Sequence, residues 1–266
     1  MAKLNKQMAL KKSRGQGMTE YIIIVALIAI AAIGVITLFG DNIKALFETT
    51  MDRDYGFYDY TGVGDFIEGA QGGYQYDQIT TAQAVQWLKA KGRPMTDKRQ
   101  PWYLAVNLVN PHDVMWVNTD TPGQPPKQAV EAKLSIAFPP DDTFYKQHWD
   151  DIPLQKTWRQ SLDTPDRVPA HRIYHAANGI LTGLIPQEES RVRMRQNYYF
   201  NAIRDVDQQI VQLLDQLDRL GLTDNTIVIF TSDHGELLGS HGGLSGKGTT
   251  SYRQQNHVPM LVVHPG

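Results

Sequence analysis

Close to its amino end the chain carries nineteen consecutive uncharged residues, Tyr21 to Phe39, reading YIIIVALIAIAAIGVITLF. At a rise of about 1.5 Å per residue, such a run coiled as a helix nearly spans a hydrocarbon core of roughly 30 Å. The first 17 residues hold Lys3, Lys6, Lys11, Lys12 and Arg14 and no acid. A basic flank of this kind predicts a single-pass helix with its amino end in the cytoplasm and the rest of the chain beyond the membrane. A cleaved secretory signal fits less well, because its apolar core is shorter and ends at small residues.

The sequence changes character near Met51 and Asp52, so the expected parts are residues 1–50 and residues 51–266. The second part is polar and ordinary. A net charge of −2 across 266 residues gives no general attraction to nucleic acid or anionic lipid. With no cysteine, disulfides, thiolate metal sites and cysteine nucleophiles are excluded.

Periodicity predicts the elements of this part. Residues 54–76 are rich in tyrosine and glycine and read as irregular or short-stranded. Thr80 to Lys91 has helical spacing, with Gly92 and Pro94 as stop signals. Pro101 to Leu108 reads as a buried strand, and Asn118 to Arg172 as loops and short helices over a sheet. Gln187 to Leu220 is the strongest helix, its apolar stripe running Tyr199, Ile203, Val206, Ile210, Leu213, Leu214, Leu217, Leu220, with Gly221 suited to the left-handed position after it. Thr226–Thr231 and Met260–Val263 read as strands. The order strand, excursion, helix, strand predicts an α/β layered domain.

The chemistry gathers at strand ends. Asp233 and His234 follow the second predicted strand directly, one oxygen and one nitrogen donor on adjacent residues, with Gly235 allowing the backbone to turn. Asp-His-Gly also serves as a plain turn or helix cap. A glycine-dense loop follows, carrying His241 and Lys247, and such loops bring side chains and N–H groups close to an oxyanion. The spacing of a phosphate-binding P-loop is absent. His112, in Asn110-Pro111-His112-Asp113, ends the first predicted strand, where ligand-binding residues of α/β sheets collect.

Two resemblances organise these observations. Gly15-Gln16-Gly17-Met18-Thr19-Glu20-Tyr21-Ile22, continuing to Gly40-Asp41-Asn42-Ile43-Lys44, resembles a type IVb (Flp-type) prepilin. That resemblance implies cleavage after a glycine at Gly15, a pairing role for Glu20, a bacterial inner-membrane location and pilin-like self-assembly. The second runs from Tyr199 to Pro265: Asp205-Val206-Asp207, then Leu220 to Thr226, then Phe230-Thr231-Ser232-Asp233-His234-Gly235-Glu236, then His257-Val258-Pro259. With Pro101 to His112 it resembles the catalytic domain of a sulfatase in the alkaline phosphatase superfamily. The fold so implied is a mixed, mostly parallel sheet flanked by helices, here preceded by one long hydrophobic helix. The implied activity is hydrolysis of a sulfate ester with one divalent cation, usually calcium. Asp233 and His234 match metal ligands, Lys247 and His112 match sulfate-contacting residues, His241 matches a neighbouring loop position, and His171 or His175 can answer to a further active-site histidine.

The resemblance also shows what this chain lacks. The family's nucleophile is a formylglycine made from Cys or Ser in Cys/Ser-x-Pro-x-Arg, and neither form occurs. Asp163-Thr164-Pro165-Asp166-Arg167 mimics the spacing with aspartate in the key position and in the wrong order along the chain. The expectation is an internal piece of a sulfatase domain, inactive as it stands, behind a pilin-like head. Two alternatives stand beside it: a membrane or pilus subunit displaying a sulfatase-derived domain, and an artefactual joining of two genes.

Overall fold

The computed structural model describes residues 56–61, 71–125, 127–128, 136–248 and 250–266. The expected apolar helix Tyr21–Phe39, with Gly15 and Glu20, lies outside them, and among the described residues no helix is long and apolar enough to cross a membrane. The chain divides into two units, Met1–Gly64 and Asp65–Gly266. All elements below belong to the second.

Helix α1 spans Gly72–Trp87 and continues through a π-helical turn, Leu88–Gly92, into the short helix α2, Arg93–Asp97. The helix therefore starts inside the stretch expected to be irregular, and it does not end at Gly92. Pro94 falls in the first turn of α2, directly after the π-helical turn. Arg93 donates through Nη1 to the Leu220 carbonyl at 2.7 Å, placing a cation on the carboxyl end of the long helix.

Helix α3 spans Pro169–Thr182, and α4, the 31-residue spine, spans Glu189–Arg219. Its end follows the glycine signal. Leu222 N–H donates to Leu217 O at 3.0 Å and Gly221 N–H to Asp218 O at 2.8 Å, the paired bonds of a Schellman motif, with Gly221 at φ 61°. Leu217 and Leu222 then meet in a buried cluster with Leu88.

The expected apolar stripe is only partly the buried face of α4. Ile203 and Leu214 are exposed, whereas Arg195, Tyr198, Ala202, Asp205 and Gln209 are buried. This face meets α1 and the 3-10 turns His112–Trp116 and Thr143–Lys146, which offer backbone carbonyls and hydroxyls as well as apolar groups. Asn201 Nδ2 donates to the carbonyls of Tyr145 and Gln147 at 2.8 and 3.0 Å, and the Tyr145 hydroxyl donates to Asp205 Oδ2 at 2.7 Å. Asn201 and Asp205 are tolerated in the interior because each finds a partner.

The sheet also departs from expectation. Strands β1, Val228–Thr231, and β2, Met260–Val263, pair antiparallel with Val228 opposite Val263. Among the described residues this two-stranded ribbon is the only sheet, where a mostly parallel one was expected. Residues 101–108 form no strand but alternate in burial: Trp102 and Leu104 pack against the Leu88–Leu217–Leu222 cluster while Tyr103 is 71% exposed. Among the described residues the segment keeps the period of a strand and joins no ladder.

Two buried carboxylates fix the loops that follow these segments. Asp77, on α1, accepts from the N–H groups of Val109 at 2.6 Å and Asn110 at 2.9 Å. Glu236 accepts through Oε1 from Arg195 Nη2 at 2.7 Å, Leu238 N at 3.0 Å and Gly246 N at 2.8 Å. The Arg195 and Glu236 side chains are 3% and 9% exposed, and Arg195 Nη2 also donates to Ser245 Oγ at 2.6 Å. Burial pulls the Arg195 guanidinium down, and the charge of Glu236 opposes this.

Removing either carboxylate has a defined expected outcome. Glu236→Ala strands a buried guanidinium and should cost about 3–5 kcal/mol, read as a lower urea midpoint. Burial pushes the Asp77 carboxyl up to about 6 from an unfolded value of 3.8, against the two backbone donors that pull it down. The folded state thus holds this proton more tightly than the unfolded state. The contribution is full below the unfolded value and is lost as pH rises through about 6. Melts across that window should show stability falling with rising pH, and Asp77→Asn should flatten the slope.

Candidate active site

The loop from Ser232 to His257 begins where β1 ends. Asp233 Oδ1 accepts from the His234 N–H at 2.9 Å, and Asp233 Oδ2 lies 3.3 Å from His234 Nε2. Ser232 Oγ donates to the His234 carbonyl at 2.8 Å, and the His234 Nδ1 lies 3.0 Å from Gly235 O. The Asp233 side chain is 82% exposed. Gly235 serves a different need from the one expected: a Cβ there would lie 2.0 Å from the Gln254 carbonyl oxygen, and its N–H donates to Gln255 O at 2.6 Å. Close approach of two backbones, more than turning, requires glycine.

The Asp233–His234 pair brings an oxygen and a nitrogen donor within 3.3 Å of each other. Among the described residues no third His, Asp or Glu joins them. A calcium ion takes about six to eight oxygen ligands. The described residues therefore do not by themselves fit a calcium site.

Past Glu236, the buried Leu237 and Leu238 carry the chain inward to a left-handed turn at His241 and Gly242. The His241 ring stacks on Tyr252, centroids 3.6 Å apart and planes within 9°, and its Nε2 lies 3.3 Å from Gln254 Oε1. Burial lowers its pKa, Gln254 opposes the shift, and the charges of Arg167 and His171 add to it. His241 is thus a ring built into the loop's frame. Lys247 follows the anchored Gly246, and its carbonyl accepts from Gln255 Nε2.

His112 opens the 3-10 turn after the cis Asn110–Pro111 bond. Its Nδ1 lies 2.9 Å from Asp113 Oδ1, and Asp113 Oδ2 accepts from the Gly73 N–H at 3.1 Å. Val114 of this turn and Leu238 of the glycine-rich loop belong to one buried cluster with Tyr198 and Ala202 of α4. One residue of each of the two segments that carry His112 and Lys247 is thereby packed into the same cluster.

His171 and His175 separate clearly. His171 Nδ1 lies 3.5 Å from the Tyr252 hydroxyl, beside the His241 stack. His175 lines a small cavity with Met115, Arg195, Gly243 and Ser245, and burial lowers its pKa. Within the Asp163–Arg167 mimic, Asp163 pairs with Arg172 at 3.1 Å, both exposed. Arg167 donates to the Tyr252 hydroxyl at 2.8 Å and the His241 carbonyl at 2.9 Å. The sequence reading did not single out Arg195 or Tyr252, and it named Arg167, Glu236 and Asp113 only as parts of motifs. A carboxylate two residues after His234 was the available signal for Glu236, but its partner lies 41 residues earlier.

The Sulfatase family model matches residues 33–266, starting inside the charge-free run and ahead of the boundary expected near residue 51. Human iduronate 2-sulfatase is 31% identical over 194 residues, 71% of this chain and 30% of that enzyme. An ulvan-active sulfatase of Formosa agariphila is 37% identical over 81 residues, 30% of this chain and 16% of that protein. A crystal structure of a putative sulfatase from Bacteroides thetaiotaomicron superposes on 78% of this chain and 39% of its own, with a TM-score of 0.53 at 17% identity. This chain thus spans less than a third of the length of either curated relative. By the extent of the family match, the chain belongs to the sulfatase family.

Proposed function

We propose that this chain is a hydrolase-fold protein that binds a sulfate ester through His112 and Lys247 and does not turn it over by itself. One observation carries the binding half of this reading: Val114 and Leu238, from the two loops in question, share a buried cluster on α4. That both named relatives are sulfatases supports a sulfuric ester as the ligand class. The absence of cysteine and of any Ser-x-Pro-x-Arg supports the second half, since loss of a nucleophile alone costs several orders of magnitude in rate. Sulfatases generally use a divalent cation. Asp233 and His234 offer two donors toward one, and no step is assigned to it.

Calorimetric titration with inorganic sulfate tests the reading. Lys247→Ala removes a charge-assisted contact and should weaken binding by roughly ten- to a hundredfold. An aryl sulfate with added calcium should show no turnover. Turnover that disappears in Asp233→Ala would refute the inactive assignment.

A second reading rests on Gly15, Glu20 and Tyr21 and the charge-free run after them. In it the chain is a pilin-like subunit of the bacterial inner membrane, amino end cytoplasmic, carrying the sulfatase-type part beyond the membrane. Gly15→Leu should then abolish the size change seen on co-expression with a prepilin peptidase. An unchanged size shift in the variant would dismiss this reading.

A further inference from the structure

We infer that Asp113 is a positioning residue for His112, fixing both the orientation and the tautomer of its ring. The inference rests on the reading of His112 as a group that meets the ester's anionic end. Asp113 is 4% exposed, and its two carboxylate oxygens have separate tasks. Oδ2 accepts from the Gly73 N–H in the first turn of α1 at 3.1 Å, and Oδ1 faces His112 Nδ1 at 2.9 Å. The carboxylate is also crowded on the helix side, since a Cβ on Gly72 would lie 3.0 Å from Oδ2. Asp113 therefore cannot swing away from the ring without breaking its tie to α1.

A carboxylate oxygen only accepts, so the hydrogen of the 2.9 Å contact belongs to His112 Nδ1. In the neutral ring this leaves the lone pair on Nε2. Among the described residues Nε2 makes no hydrogen bond, and the ring is partly open to solvent. Neutral His112 thus presents an acceptor outward, and only its protonated form presents an N–H to an anion. The same arrangement on another imidazole, a buried carboxylate holding the tautomer, is known to depend on the carboxylate more than on the geometry it leaves behind. Asp113 acts through His112 and touches no ligand itself.

The experiment uses the full-length chain labelled with 15N at histidine. Long-range proton–nitrogen correlation spectra separate a ring protonated at Nδ1 from one protonated at Nε2, and His112→Gln identifies the His112 pattern by its loss. Neutral His112 should carry its hydrogen on Nδ1. In Asp113→Asn the single amide oxygen is retained by the Gly73 N–H, so the amide NH2 turns toward Nδ1. The ring must then move its hydrogen to Nε2, and the two nitrogen shifts should exchange. A wild-type ring protonated at Nε2 overturns the inference, and that measurement stands even if the variant fails to fold. An unchanged tautomer in a folded Asp113→Asn protein overturns it equally. Adding inorganic sulfate to the same samples separates the two ideas. Sulfate that leaves the His112 signals unmoved rejects the oxyanion reading, while the tautomer alone decides the role of Asp113.

Discussion

A single carboxylate oxygen, Glu236 Oε1, gathers the Arg195 guanidinium and the N–H groups of Leu238 and Gly246. Three donors on one acceptor close the glycine-rich loop into a ring and bolt it to the spine helix. A loop with so many glycines has little conformational preference of its own. Its shape is therefore imposed from within, by a charge that cannot be left unpaired in a buried setting. Lys247 follows Gly246 directly, so its starting point is set by the same contact. Leu238, whose N–H is also held, enters the cluster that contains Val114. The position of one candidate loop relative to the other thus traces back to this ion pair.

The same logic recurs at other positions along α4. Asp77 holds the N–H groups of Val109 and Asn110, Asn110 donates to Asp205, and Tyr145 donates to Asp205. Arg191 pairs with Asp120 at 2.5 Å, and Asp120 in turn accepts from the N–H groups of Lys127 and Gln128. Irregular segments here are held by buried polar knots where a sheet would have held them by ladders. Each knot is satisfied, which is the condition for such groups to be tolerated in low dielectric.

This explains which parts were legible in the sequence. The end of α4 at Gly221 was read correctly because its signal lies within a few residues, and the β2 strand Met260–Val263 because its unbroken apolar run marks it wherever its partner lies. The start of α1 was missed, since Gly72 and Gly73 disguise a helix whose first turn serves Asp113. Pro94 misled because a proline that ends one helix can equally begin the next. The buried face of α4 was misjudged because an apolar stripe reports transfer energy alone. Arg195, Asn201, Asp205 and Gln209 are buried through partners far away in the chain. At the site, Asp233, His234, His112 and Lys247 stood out by residue type and motif. Glu236 and Asp113 did not, because a residue that positions another is defined by a contact, and contacts are not written in linear order.

The β1–β2 ribbon leaves Ile229, Met260, Leu261, Val262 and Val263 each more than half exposed, and Asp233 and His234 are mounted directly on its end. Two apolar faces open to water form a surface that gains by being covered. A surface that covered the ribbon would lie against the same strand that leads into the Asp233–His234 pair.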